Sequence, residues 1–166
     1  MLDAHCHYFP KPGAHSVFYN SVTSSDWSRI PKQSDIIPFY GIHPWYAKTC
    51  SKNELTLLDE LVARKMEVGE RFGLGETGLD KTNRNLDEEA QIAFFAHHLK
   101  LAEKYRLPVS VHCVHAWGLL DEVLKDVNPD VPILIHCFSG SAEVAEEYKK
   151  LGATLSIGGP LTFKNG

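Results

Sequence analysis

The chain has 166 residues, 43% hydrophobic and 23% charged, with a formal net charge of −4 and a sequence pI near 6.1. Those proportions describe one folded domain with a real core. They exclude the broad basic field by which non-specific binders hold a phosphate backbone, so any nucleic-acid substrate has to be gripped locally.

The first residues, Met-Leu-Asp-Ala-His, lack the basic start and apolar stretch of a signal peptide. No run approaches the roughly 18 apolar residues of a spanning helix, so the expectation is a cytoplasmic protein without a membrane partner. Residues 1–5 read as a short strand delivering Asp3-Ala-His5-Cys-His7, and period-two spacing places Asp3, His5 and His7 on one side if the strand continues. Pro10, Pro12 and Gly13 mark a loop. Residues 16–20 form a second strand, and Ser25-Asp26-Trp27 suits the start of a short helix. A third apolar run, 35–40, empties into Gly41-Ile-His43-Pro44-Trp45, where the proline fixes the loop that carries the histidine.

Ser51 and Glu54 form a capping box ahead of Leu55, Leu58 and Val62, which predicts a helix over 52–65. A fourth strand follows at 71–76. Asn85 and Glu88 mark the next helix start, with Ile92, Phe95, Leu99 and Ala102 as its apolar stripe and Pro108 beyond its end. His97 and His98 fall inside this helix as packing or surface residues. Residues 108–112 and 131–136 are strands five and six, each ending on a histidine. Between them Leu120, Val123, Leu124 and Val127 recur at helical spacing. Ser141 caps a last helix, Gly152 stops it, and 153–157 is a seventh strand.

The chain is organised around Gly73-Leu-Gly-Glu-Thr-Gly-Leu-Asp80, which sets Glu76 among glycines at the end of an apolar run. A carboxylate so placed can bridge two cations, one on each oxygen. His5, His7, His112 and His136 fall at comparable strand ends. Strands alternating with helices imply a parallel sheet with right-handed crossovers. Ligand-type residues on several strand ends suit a (β/α)8 TIM-barrel-type fold, here with about seven strands, better than a doubly wound sheet with its single crevice. Cys6, Cys113 and Cys137 each follow one of these histidines, and strand alternation turns each thiol away from what its histidine faces. Four cysteines are too few for a disulfide framework, and buried free thiols are the expectation.

Seven pieces in one order carry a resemblance: Asp3-Ala-His5-Cys6-His7, Gly41-Ile-His43-Pro44, Gly75-Glu76-Thr-Gly78-Leu79-Asp80, Gln91 in the long helix, Pro108-Val-Ser-Val-His112, His136-Cys137-Phe138-Ser139-Gly140, and Gly152-Ala-Thr-Leu-Ser156-Ile-Gly158. The chain resembles the TatD family of metal-dependent hydrolases, the TatD-like DNases. That resemblance implies two divalent metal ions (Mg, Mn or Zn), one held by His5 and His7 and one by His112 and His136, with Glu76 between them as the catalytic carboxylate. It further implies hydrolysis of DNA, at a single strand or an end, by a metal-activated water. His43, Lys81 and His115 are the candidate phosphate contacts. A related hydrolase of esters or amides, or an impaired barrel remnant serving as an interaction module, is the alternative.

Two departures bear on these expectations. Where the family often has a His-x-Arg-like piece, this chain has His112-Cys-Val-His115. The family pattern also continues to an eighth strand carrying Glu-Thr-Asp, whereas this chain ends at Phe163-Lys-Asn-Gly166. The expectation is a single barrel domain over 1–166, truncated before its closing strand, with open edges available for self-association.

Overall fold

The computed structural model describes residues 2–7, 16–82 and 86–158. Seven strands, β1 (Leu2–Cys6), β2 (Ser16–Asn20), β3 (Ile36–Tyr40), β4 (Gly73–Asp80), β5 (Val109–Val114), β6 (Ile133–Ile135) and β7 (Thr154–Leu155), form one sheet in sequence order with every pair parallel. Four helices make the crossovers from β3 onward: α1 (Lys52–Glu67), α2 (Glu88–Tyr105), α3 (Trp117–Val127) and α4 (Ala142–Lys150). The sheet curls until His5 on β1 stacks on His136 just past β6, with ring centroids 3.7 Å apart. Among the described residues β1 and β7 each pair on one side only, so this is an incomplete (β/α) barrel, as expected.

Local chemistry sets the helix ends. The Ser51 and Glu54 capping box starts α1, and the Asp87 carboxylate accepts from the Ala90 N–H to start α2. Asn85 lies outside the described residues. Arg106 and Asn128 close α2 and α3 in the left-handed conformation.

The two faces of the sheet differ in kind. Leu58 and Val62 of α1, Phe95, Leu99 and Ala102 of α2, Leu120 and Val123 of α3 and Tyr148 of α4 pack on Leu74, Val109, Val111, Cys113 and Ile135 to form the apolar layer outside the sheet. Glu76, Ser110, His112 and His136 are buried polar groups on the inner side.

Several sequence expectations are corrected. β4 runs on to Asp80, so Glu76 sits in mid-strand and not at its end. Opposite the two steps from Val109 to Val111, β4 takes three, from Leu74 to Thr77, and this one-residue bulge brackets Glu76. A second bulge, three steps from Asp3 to Cys6 against two on β2, brackets His5. Strict alternation therefore fails on β1: Asp3 is exposed and accepts from the His5 N–H, while His7 follows in a bend. Cys113 is buried and Cys6 and Cys50 half-buried, but Cys137 is exposed, because β6 stops at Ile135 and Cys137 lies in a turn at φ 47°.

Gly78, at φ 139°, lets β4 lie against β5, and a Cβ there would stand 2.0 Å from the His112 carbonyl oxygen. His98 is the packing residue expected. It is fully buried, donates from Nδ1 to the Phe94 carbonyl at 2.7 Å and accepts the Ile42 N–H on Nε2 at 3.3 Å, tying α2 to the loop after β3.

Two predictions follow from this packing. Gly78→Ala forces two strand backbones apart and costs several kcal/mol, on the order of 3 or more, read as a drop in the urea midpoint. Burial lowers the His98 pKa to about 4 from an ordinary 6.5. The folded state thus binds fewer protons than the unfolded chain, and the His98 contribution to stability, full above 6.5, is lost as pH falls through 6.5 toward 4. Urea unfolding at stepped pH should show that decline, and His98→Gln should be less stable at pH 7 with a flatter profile across the same window.

Candidate metal centre

The centre is built on Glu76, 1% exposed, and its two oxygens have different neighbours. Oε2 faces His7 Nε2 at 2.9 Å and His5 Nε2 at 3.4 Å. Oε1 faces His136 Nε2 at 2.6 Å, His112 Nδ1 at 2.8 Å and His43 Nε2 at 3.4 Å. Burial alone would raise the Glu76 pKa, but the close imidazoles of His112, His136, His43 and His5 outweigh it and hold the carboxylate far below its ordinary range. Glu76 is therefore ionised at any working pH.

Four of the five rings, all but His136, are oriented by a group behind them. His7 Nδ1 donates to the Asn20 carbonyl at 2.9 Å, which turns Nε2 toward Glu76. His112 Nε2 stands 2.8 Å from Asp80 Oδ2, which leaves Nδ1 facing Glu76. The Trp45 N–H donates to His43 Nδ1 at 3.2 Å. The proton of neutral His43 therefore sits on Nε2, so His43 faces the centre as a donor. His5 Nδ1 lies 3.3 Å from the Ser110 hydroxyl.

The pKa shifts follow these surroundings. Hydrogen bonding to Glu76 raises His7, while burial lowers His5 and His43. Burial opposes the charged form of His112, yet the bonds and charges of Glu76 and Asp80 prevail and raise it. Asp80 is held to about 2: burial works against its charge, but hydrogen bonds from Thr82, His112 and Trp45 outweigh it.

Two groups here could hold a cation, His5, His7 and Glu76 in one and His43, Glu76 and His112 in the other, with the ligand atoms of each group within 4.8 Å of one another; His43 would ligate only by giving up its Nε2 proton, and His136 Nε2 stands 2.6 Å from the same Oε1. The fit is supported by atoms the protein leaves unsatisfied. Both ring nitrogens of His136 and Glu76 Oε2 are buried with no well-directed hydrogen bond, although His136 Nε2 is only 2.6 Å from Oε1. Distance without direction is what lone pairs converging on a common electrophile produce. Above the centre opens a cavity of about 400 Å³, with Val22, Trp45 and Tyr46 completing its walls. A wider cavity of about 660 Å³ lies on the outer face between β3 and α1, lined by Pro38, Tyr40, Leu61 and Lys65, away from these groups.

Of the residues singled out in the sequence, His5, His7, His43, Glu76, His112 and His136 come together. Lys81 does not join them: its ammonium pairs with Glu88 at 2.8 Å on the surface. His115 is exposed in the bend after β5. Asp80 was legible only as a motif letter. Its role required knowing that two residues of one strand, Glu76 and Asp80, would grip opposite nitrogens of one ring on the next.

Comparison with known proteins places the chain. The model of the TatD related DNase family matches residues 13–166. The uncharacterized metal-dependent hydrolase YabD of Bacillus subtilis is 36% identical over 75% of this chain and 48% of its own length. The 3'-5' ssDNA/RNA exonuclease TatD of Erwinia billingiae is 38% identical over 71% of this chain and 43% of its own. The chain thus spans about half the length of these curated relatives. The crystal structure of YjjV, a TatD homolog from Escherichia coli K12, superposes with a TM-score of 0.89 at 24% identity, covering 99% of this chain and 70% of that one, and supports the same fold. Among the described residues no helix is long and apolar enough to cross a membrane. The chain belongs to the TatD related DNase family.

Proposed function

We propose that this chain is one barrel domain that holds two divalent cations across Glu76 and hydrolyses phosphodiester bonds of single-stranded nucleic acid. The observation that carries this reading is the division of histidines between the Glu76 oxygens, His5 and His7 toward Oε2, His112 and His136 toward Oε1. Relatives named as 3'-5' nucleases support the substrate class: TatD of Erwinia billingiae, for ssDNA and RNA, and human TATDN2, for RNA, 31% identical over 90% of this chain.

The bound cations would supply an activated water and neutralise charge as it builds on the phosphoryl group. Four imidazoles and one carboxylate form a nitrogen-rich set that favours Mn²⁺ or Zn²⁺ over Mg²⁺. Glu76 stays ionised and is available to both sides. The Asn20 carbonyl and the Asp80 carboxylate would hold the outer-nitrogen protons of neutral His7 and His112, leaving the inner nitrogens to ligate a bound cation. His43 presents Nε2–H toward the same space and is placed to donate to a phosphoryl oxygen. Burial of Glu76, His43, His112 and His136 beneath the cavity limits bulk water around them and strengthens their contacts.

The test is a metal and cleavage assay on the purified chain with Mn²⁺ or Mg²⁺, a labelled single-stranded oligonucleotide and a panel of aryl esters. Expected is metal-dependent cleavage yielding 5′-phosphates, abolished by EDTA, with Glu76→Gln losing bound metal and at least about 100-fold in rate. Cleavage surviving in Glu76→Gln, or turnover of aryl esters alone, would overturn the reading. Asp80→Asn can present an amide N–H to His112 Nε2 and favour the wrong tautomer. It should lower metal affinity about 10- to 100-fold in a metal titration while leaving circular dichroism unchanged.

A further inference from the structure

The cavity over the metal centre has an aromatic lip and, among the described residues lining it, no lysine or arginine. Trp45 is 55% exposed there and Tyr46 beside it 40%. Exposed tryptophan is costly in water, yet this one is fixed in place. Its indole N–H donates to Asp80 Oδ2 at 2.8 Å, its ring meets His43 edge-on at 5.0 Å between centroids, and its backbone N–H is bonded to His43 Nδ1. Pro44 and the Tyr46 N–H bond to the His43 carbonyl hold the 3₁₀ turn (Pro44–Tyr46) that carries both rings. The polar atom of the indole is thus satisfied while much of the ring remains open to solvent. A ring so held loses little entropy on binding a flat partner.

The local charges sharpen the choice of partner. The chain carries a net charge of −4, and Lys81, the lysine expected near the site, is paired with Glu88. With no lysine or arginine among the described residues of the cavity wall, the metal centre and its histidines are what those residues offer a phosphate. Stacking on an aromatic face is the other general means of gripping an unpaired nucleotide, and it tolerates any base.

Resting on the proposed phosphodiester hydrolysis, we infer that Trp45, flanked by Tyr46, is the platform on which the base next to the scissile phosphate stacks. Recognition then depends on the presence of a base but little on its identity, and only weakly on salt. Asp80 anchors the indole and also faces His112, so the platform is held at a fixed distance from the centre by one carboxylate.

The test uses a fluorescent tetranucleotide with phosphorothioate linkages, intact or with abasic sugars in place of its two terminal nucleosides, bound to the Mn²⁺-loaded chain and followed by anisotropy. Wild type should bind the intact strand about tenfold or more tighter than the abasic one. Its affinity for the intact strand should change by about threefold between 50 and 200 mM salt, as for one phosphate contact. Trp45→Phe keeps a ring and should keep most of the preference, whereas Trp45→Leu should bring the ratio near one. Equal binding of both strands by wild type, or a preference that survives in Trp45→Leu, overturns the platform. Cleavage of ordinary DNA is scored separately: cleavage with no base preference leaves the hydrolase reading standing without the platform. Base-dependent binding without cleavage leaves the platform standing without the hydrolase.

Discussion

A carboxylate taken almost wholly out of water must be compensated by positive charge or by directed hydrogen bonds, and the protein around Glu76 supplies close imidazoles while leaving Oε2 without a directed bond. Five imidazoles surround one ionised group that is 1% exposed. They come from β1 and the bend after it, the loop after β3, β5, and the turn after β6, so their convergence requires the sheet to curl. The stacking of His5 on His136 measures that curl directly, since it joins the first strand to the turn after the sixth.

The sheet separates two tasks by face. Aliphatic and aromatic side chains between helices and strands supply the burial that stabilises the fold, and polar groups are confined to the inner side. This division lets the inner side hold groups that would destabilise an apolar core. It also explains why small residues line β4, where the backbone of β5 comes within a Cβ contact of Gly75 and Gly78. His98 belongs to the outer layer yet reaches the Ile42 N–H beside His43, so the helix layer helps to place the loop that carries the aromatic lip.

Much of this was legible in the sequence because its signals are local. Capping residues, apolar periodicity and histidines near strand ends marked all seven strands and α1 to α4, although β5 runs two residues past His112 and β6 stops one short of His136, and the type of side chain at positions 5, 7, 76, 112 and 136 pointed to a cation site. What escaped was non-local or broke a periodic rule. The bulges around His5 and Glu76 shift the alternation by one residue, and no pattern in a single strand announces an extra residue opposite its neighbour. Asp80 and Trp45 depend on pairs far apart in sequence, His112 with Asp80 and Trp45 with Asp80. Lys81 looked available because its partner Glu88 belongs to the next helix.

The two sides of the centre are secured by different means, with an evolutionary consequence. His7 is steered by a main-chain oxygen at position 20, which every amino acid possesses, so that orientation survives any replacement that leaves the strand in register. His112 is steered by the side chain of Asp80, which a single codon change can erase. Drift would therefore loosen the seat of His112, and that of His5 on the Ser110 hydroxyl, before it loosened the seat of His7.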